Sequence, residues 1–158
     1  MVSIDPYMLD IAEKDVMSKL LAEFAAQTLD REFVEQIVPG KNGISVLRIP
    51  QDCVLVGHSS GGDHRLTDRK EYATSVFKEL TRDSERISAQ PIAMANVIDA
   101  RSTDEDFVRD VGTSLRDAAL EKRVAIITGE LAKLGHMINC DCNISGTMLG
   151  LLKKNSPF

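Results

Sequence analysis

Apolar residues recur at helical spacing in the first segment of the chain, with charged residues between them. The apolar set comprises Met8, Leu9, Ile11, Ala12, Val16, Leu20, Leu21 and Phe24. A period near that of the α-helix is typical of an amphipathic helix with one buried face. The pattern predicts a second helix over Asp30 to Val38, followed by a break at Pro39 to Gly43. We therefore expect a helical N-terminus that extends to about residue 45.

Four later runs have the apolar, strand-like character of buried β-structure. They are Cys53 to Gly57, Pro91 to Ala100, Val124 to Thr128 and Ile144 to Leu152. Small polar residues after the first run predict a flexible loop over His58 to His64, and the third run is expected to end at Gly129 and Glu130.

Two amphipathic helices separate these strands. The first is predicted from Thr67 or Asp68, either of which can cap its free amides, to about Leu80. The second begins at a capping box formed by Ser102 and Glu105 and continues as an apolar stripe. The order of elements predicts an α+β fold, in which a mixed four-stranded sheet carries helices on one face.

Composition limits the classes of function. A chain of 158 residues with 43% hydrophobic and 27% charged residues fits one globular domain. Its net charge of -5 argues against sequence-independent binding to the phosphate backbone of nucleic acid. Because the sequence shows neither a long apolar run nor a secretory leader, we expect a cytoplasmic protein without a membrane partner.

The three cysteines are too few for a disulfide framework and are expected to be free thiols. His136, Cys140 and Cys142 can be drawn as a metal site. However, Cys-x-Cys lacks the second paired unit that makes zinc spacing specific, so burial of the cysteines as small apolar residues is the favoured interpretation.

Four stretches of the sequence resemble the N-terminal domain of the aminoimidazole ribonucleotide synthetase superfamily, which also contains selenophosphate synthetase, thiamine-monophosphate kinase and the hydrogenase maturation protein HypE. Val54 to Leu66 is similar to a strand leading into the family's Asp-Gly-x-Gly-Thr-Lys loop, and Asp83 to Pro91 to its Asn-Asp segment ending in Gly-Ala-x-Pro. Thr128 to Gly135 resembles the Gly-Gly-Glu-Thr-Ala loop, and Ile144 to Lys154 the following strand.

The resemblance implies an ATP site in which acidic loops hold the phosphates through Mg²⁺, and a homodimer whose paired sheets form a β-barrel. The implied metal ligands are Asp83 and Glu130. The implied nucleotide-binding residues are Ser59, Ser60, Gly61, Gly62, Asp63, Arg65 and Gly129. Family members also carry a second domain that is absent from this sequence, so a separate C-terminal domain chain is a further expected partner.

The sequence departs from the family pattern at four positions. Ser60 and Asn96 replace acids, Arg65 replaces the lysine, and Thr128 replaces the first glycine of the Gly-Gly-Glu loop. Asp63 and Asp99 are nearby acids that can compensate only if the loops are remodelled. Fewer carboxylates weaken the attraction for Mg-ATP, and we expect the isolated chain to be catalytically inactive.

Each candidate residue also has a purely structural interpretation. Asp83 and Glu130 are then surface acids, the Ser59 to Gly62 segment is a simple turn, and His58 and His64 are solvated side chains rather than general bases. Two functions remain: the ATP-binding, dimer-forming half of a synthetase of the cyclo-ligase type in purine biosynthesis, or a non-catalytic dimerisation or regulatory module with a degenerate ATP site.

Overall fold

A computed structural model describes residues 6–38, 44–61 and 68–155 of the chain. The described helices are α1 (Pro6–Ala26), α2 (Arg69–Arg86) and α3 (Glu105–Lys122), with a short 3-10 turn at Gly135–Met137. The strands are β1 (Val34–Val38), β2 (Ile44–Leu47), β3 (Cys53–Gly61), β4 (Gln90–Ala100), β5 (Ala125–Lys133) and β6 (Cys142–Lys153).

The main sheet has four strands in the order β3-β6-β4-β5. β6 is antiparallel to both β3 and β4, whereas β4 and β5 are parallel. This confirms the predicted α+β fold and the mixed sheet. The sheet is open, with β3 and β5 at its edges.

The main core lies between the sheet and the helices. Alternate residues of β4 and β6, including Met94, Ile98, Ile144 and Met148, face α2 and α3 and are fully buried. Helix α1 packs against α3 and the edge strand β5. Helices therefore cover one face of the sheet, as the spacing of apolar residues predicts.

The N-terminal segment differs from the prediction of a helical N-terminus that extends to about residue 45. Among the described residues of this segment only α1 is helical, and the helix predicted over Asp30 to Val38 is wrong. Val34 to Val38 instead form β1, which pairs antiparallel with β2. β-branched residues favour an extended backbone when a partner strand is available, and β2 supplies that partner from beyond the predicted break. The Pro39 to Gly43 segment itself lies outside the described residues.

Three predicted boundaries also change. β3 runs through His58 to Gly61 because β6 pairs with it along its whole length. β5 passes through Gly129 and Glu130 and continues to Lys133, in register with β4. Helix α2 continues past Leu80 to Arg86. For the two strands, a partner strand extends the element beyond the point at which local sequence alone predicts its end.

The predicted helix starts are confirmed in position but not in every detail. Asp68 caps α2 by accepting hydrogen bonds from the Lys70 and Glu71 amides. For α3 the capping residue is Asp104 rather than Ser102, and its carboxylate accepts a 2.8 Å bond from the Phe107 amide. The Ser102 hydroxyl instead donates to Asp104.

Candidate functional site

The structure places several of the predicted nucleotide-binding residues in two adjacent rows across the sheet. One row runs from Ser60 on β3 through Gly146 and Asn96 to Gly129 on β5. The next runs from Gly61 through Ser145 and Val97 to Glu130. Two segments that are distant in sequence therefore lie at the same level of the sheet, but on opposite edges.

The three small residues of β3 do not form one cradle. In a strand, successive side chains point to opposite faces. Ser60 shares the helix-covered face with Gly146, whereas the Ser59 hydroxyl lies on the other face, 2.7 Å from the Thr147 hydroxyl. The remaining members of the predicted loop, Gly62, Asp63 and Arg65, lie outside the described residues.

The two predicted metal ligands are not brought together within the described chain. Asp83 is in the last turns of α2, where its carboxylate accepts a 2.9 Å bond from Arg86. The end of this helix is tied to the start of β4, because the Ala89 amide donates to the Ser84 carbonyl. Glu130 pairs with Val97 of β4, which lies eight residues after Ala89. Eight residues of strand span about 25 Å. The fold thus separates these carboxylates by most of the length of the sheet.

Gly129 has a specific packing role. Its neighbour Asn96 is only 6% exposed and lies on the helix-covered face of β4. A Cβ atom at Gly129 would lie 2.4 Å from the Asn96 Oδ1 atom, which is closer than non-bonded atoms approach. The glycine therefore makes room for the asparagine side chain.

Asn96 and Gly129 belong to the floor of a cleft of about 960 Å³ between α1, α3 and β5. Its apolar walls include Phe24 of α1, Leu115 of α3 and Ile126 of β5. Glu130 borders this cleft as the residue after Gly129 on β5, but it is level with Val97, so its side chain points to the helix-free face.

Sequence reasoning missed this cleft because α1 builds one of its walls. Two interactions hold α1 in place. The Ile126 amide on the edge of β5 donates a 2.7 Å hydrogen bond to the Thr28 hydroxyl, just beyond the end of α1. In α3, a Cβ at Gly112 would lie 2.5 Å from the Phe24 ring, so the glycine allows close helix contact. A glycine inside an amphipathic helix is the sequence signal for such an approach.

The other chemistry-bearing residues lie apart from this cleft. His58 is in β3 and half-buried, and its Nε2 atom has no hydrogen-bond partner in the described part of the chain. His64 is outside the described residues. Burial raises the pKa of the Cys142 thiol to about 11, which disfavours the thiolate needed for metal binding. Among the described residues, no group of three His, Cys, Asp or Glu side chains is placed to hold a metal ion.

No protein-family model matches the chain. Among curated proteins, the phosphoribosylformylglycinamidine cyclo-ligase of Methanococcus maripaludis strain C5 is 32% identical over 69 residues, which is 44% of this chain and 20% of the relative. The cyclo-ligase of Thermoplasma volcanium is 27% identical over 73 residues, covering 46% of this chain and 21% of the relative. The chain therefore spans about a fifth of the length of these relatives.

Solved structures show the same fold at low sequence identity. Thiamine-monophosphate kinase from Stenotrophomonas maltophilia K279a superposes with a TM-score of 0.67 at 16% identity, covering 86% of this chain and 42% of that one. Escherichia coli HypE gives 0.63 at 12% identity, with coverages of 90% and 46%. Thermotoga maritima PurL complexed with ADP gives 0.54 at 21% identity, with coverages of 75% and 21%.

The chain therefore has an aminoimidazole ribonucleotide synthetase-like fold, in agreement with the resemblance in the sequence. The curated relatives are cyclo-ligases, and the structural neighbours are a kinase, a maturation protein and a synthase subunit of the same superfamily. In the part of the chain that the structure describes, no helix has the length and apolar character needed to span a membrane.

Proposed function

We propose that this domain binds ATP as part of a synthetase resembling phosphoribosylformylglycinamidine cyclo-ligase, and therefore acts in purine biosynthesis. The observation that carries the proposal is the cleft beside α1, where Asn96 and Gly129 meet and which Glu130 borders at the edge of the sheet. These positions correspond to the family motifs quoted from the sequence. The local similarity to cyclo-ligases and the ADP-bound state of the PurL neighbour support a nucleotide as the ligand.

The residues present fit Mg²⁺ only as an ion that arrives with the nucleotide. Mg²⁺ commonly meets a protein through one or two carboxylates, while the phosphate oxygens and water complete its coordination. Glu130 can supply one carboxylate at the β5 edge of the sheet, beside the cleft and on the helix-free face. Asp83 lies near the opposite end of the sheet, and Ser60 and Asn96 carry no charge. With a single acid, the affinity for Mg-ATP should be modest.

The experiment is isothermal titration calorimetry with Mg-ATP on the wild type and on two matched variants. Glu130→Gln removes the charge at the β5 edge beside the cleft with little change of shape, and should weaken binding about tenfold, because charge-assisted contacts are roughly twice as strong as neutral ones. Asp83→Asn is the control and should bind like the wild type. Equal affinities of all three proteins would remove Glu130 from the site, and no binding by any of them would overturn the proposal.

Catalysis by the chain alone is not expected under this proposal. Two of the acids that the family uses are replaced, so charge neutralisation of the transferring phosphoryl group is incomplete. The test is to assay product from Mg-ATP and formylglycinamidine ribonucleotide. Activity should be absent from the wild-type chain, and should appear only when Ser60→Asp and Asn96→Asp are combined with a separate C-terminal domain. Turnover by the unmodified chain would contradict this expectation.

A second candidate function, homodimerisation without catalysis, is favoured by the helix-free face of the sheet. Leu55 and Val97 lie on that face and are 44% and 41% exposed. Phe33 and Leu47 of the N-terminal hairpin cover only one end of it, around Leu151. An apolar sheet face bordered by two open edges gains stability from a two-fold partner, as in the expected β-barrel.

Light scattering after gel filtration should therefore give about twice the 17.4 kDa chain mass at micromolar concentration. Val97→Lys places a charge in the expected interface and should produce monomers. Leu120→Lys is the matched control, because Leu120 is 40% exposed on α3, and should leave the dimer intact. A wild-type monomer, or dissociation by the control alone, would overturn this assignment.

A further inference from the structure

The Asn96 amide is a buried polar group that faces a cleft. Its residue is 94% buried, and it lies on the cleft floor between α1 and β5. None of the side-chain hydrogen bonds formed within the described parts of the chain involves this amide. The Asn96 polar atoms are not among the fully buried side-chain atoms that lack a partner, so they reach the open space of the cleft. The arrangement is therefore complementary to a ligand that offers both a donor and an acceptor.

The charges around the cleft disfavour an anionic group in its interior. The ionisable lining residues are Asp15, Glu23, Glu130 and Lys19, which give a formal charge of -2. A phosphate placed among them meets net repulsion. Most of the other lining residues are apolar and include the flat ring of Phe24, so the interior suits a neutral, largely apolar group.

We propose that the α1–β5 cleft binds the purine base of an adenine nucleotide, with the Asn96 amide pairing to its N6 and N7 edge. An asparagine amide matches this edge because it donates one hydrogen bond and accepts the other. The phosphates then lie outside the cleft, so binding of the base requires no metal. The inference rests on the proposed nucleotide-binding function and assigns the orientation of the nucleotide.

The test is calorimetric titration of the full chain with adenosine, which has no phosphate, in the presence of EDTA. Adenosine should bind the wild type. Inosine has a carbonyl in place of the N6 amino group and should bind about tenfold more weakly. Asn96→Leu keeps the approximate side-chain volume but removes both expected hydrogen bonds to the base. This variant should also bind adenosine about tenfold more weakly. Asn143→Leu makes the same change on the helix-free face of β6 and serves as the control.

A second variant tests the cleft without touching Asn96. Ala22 is an exposed α1 residue that lines the cleft, and Ala22→Trp should block the cleft while leaving the helix intact. Circular dichroism checks that each variant folds. Loss of adenosine binding in both Asn96→Leu and Ala22→Trp supports the inference, and unchanged binding in either overturns it.

The titrations with and without metal separate the two proposals. Binding of Mg-ATP without any binding of adenosine in EDTA would overturn the base orientation but leave the nucleotide-binding function in place. Failure of both ligands to bind would overturn the function itself. Equal affinity for inosine and adenosine would show that the Asn96 amide does not recognise the N6 edge.

Discussion

Replacement of Gly129 by alanine tests whether this glycine serves the packing of Asn96. The added Cβ would lie 2.4 Å from the Asn96 Oδ1 atom, 3.2 Å from its Cγ and 3.4 Å from its carbonyl oxygen. Asn96 is 6% exposed, and the cleft is the direction in which its short side chain can still turn. Either its side chain must leave a favoured rotamer or the β4–β5 pair must shift.

The cost of this overpacking is about 1–3 kcal/mol for a well-packed site. Alanine also reduces the entropy of the unfolded chain, which offsets the cost by about 0.4–1 kcal/mol. We therefore expect Gly129→Ala to lower the free energy of unfolding by about 1–2 kcal/mol, or the Tm by about 2–8 °C for a chain of this size. Urea denaturation followed by circular dichroism measures this, with an unchanged m-value showing that two-state behaviour is retained.

Gly61→Ala is the matched control for Gly129→Ala. Gly61 is at the other edge of the sheet, where a Cβ would meet only ordinary contacts, the nearest at 3.7 Å. Its substitution should be neutral or slightly stabilising. In the double variant, Asn96→Ala should relieve the clash and give a coupling free energy of about 1 kcal/mol with Gly129→Ala. A fully stable Gly129→Ala protein with no coupling would refute this account of Gly129.

Three further predictions concern stability and thiol reactivity. Thr28→Val removes the hydroxyl that accepts from the Ile126 amide and leaves that buried amide unpaired, so urea denaturation should show a loss of about 1–3 kcal/mol. Asp104→Ala removes the cap of α3, and should cost about 1 kcal/mol at neutral pH. The Phe107 amide, with smaller contributions from other groups, holds the pKa of Asp104 below its ordinary value. The cap's contribution is therefore present above the unfolded-state pKa and is lost as the pH falls through the folded-state pKa; a difference from wild type that persists in strong acid would contradict it. Because burial raises the pKa of Cys142 to about 11, its alkylation by iodoacetamide, followed by mass spectrometry, should remain slow from pH 7 to pH 9 in the folded protein.

The sequence determined the parts of the fold that depend on local periodicity. Helices α2 and α3 and the four strands of the main sheet follow from apolar spacing and cap residues, because a side chain's burial is tied to the repeat of its own element. The order of these elements was enough to indicate an α+β fold with helices on one face. The family motifs further indicated an aminoimidazole ribonucleotide synthetase-like fold, and the solved structures confirm that fold.

Only the tertiary structure decided where elements with weak local signals end. β1 is extended because β2 pairs with it, and β3 reaches Gly61 because β6 pairs with it. The same applies to the candidate site. The family motifs predict that Asp83 and Glu130 hold one metal ion. The end of α2 that carries Asp83 joins the start of β4, however, and Glu130 lies level with a later part of β4.

The cleft beneath α1 also depends on contacts between residues far apart in the chain. In the sequence, Asn96 stands at a position where the family carries an acid. The structure shows that its amide is buried beside Gly129 and faces a partly apolar cleft. Burial and neighbouring charge, which set the chemistry of a polar side chain, arise only when α1, α3 and β5 are packed together. Local pattern therefore determined the elements, and packing determined the environment in which their polar residues act.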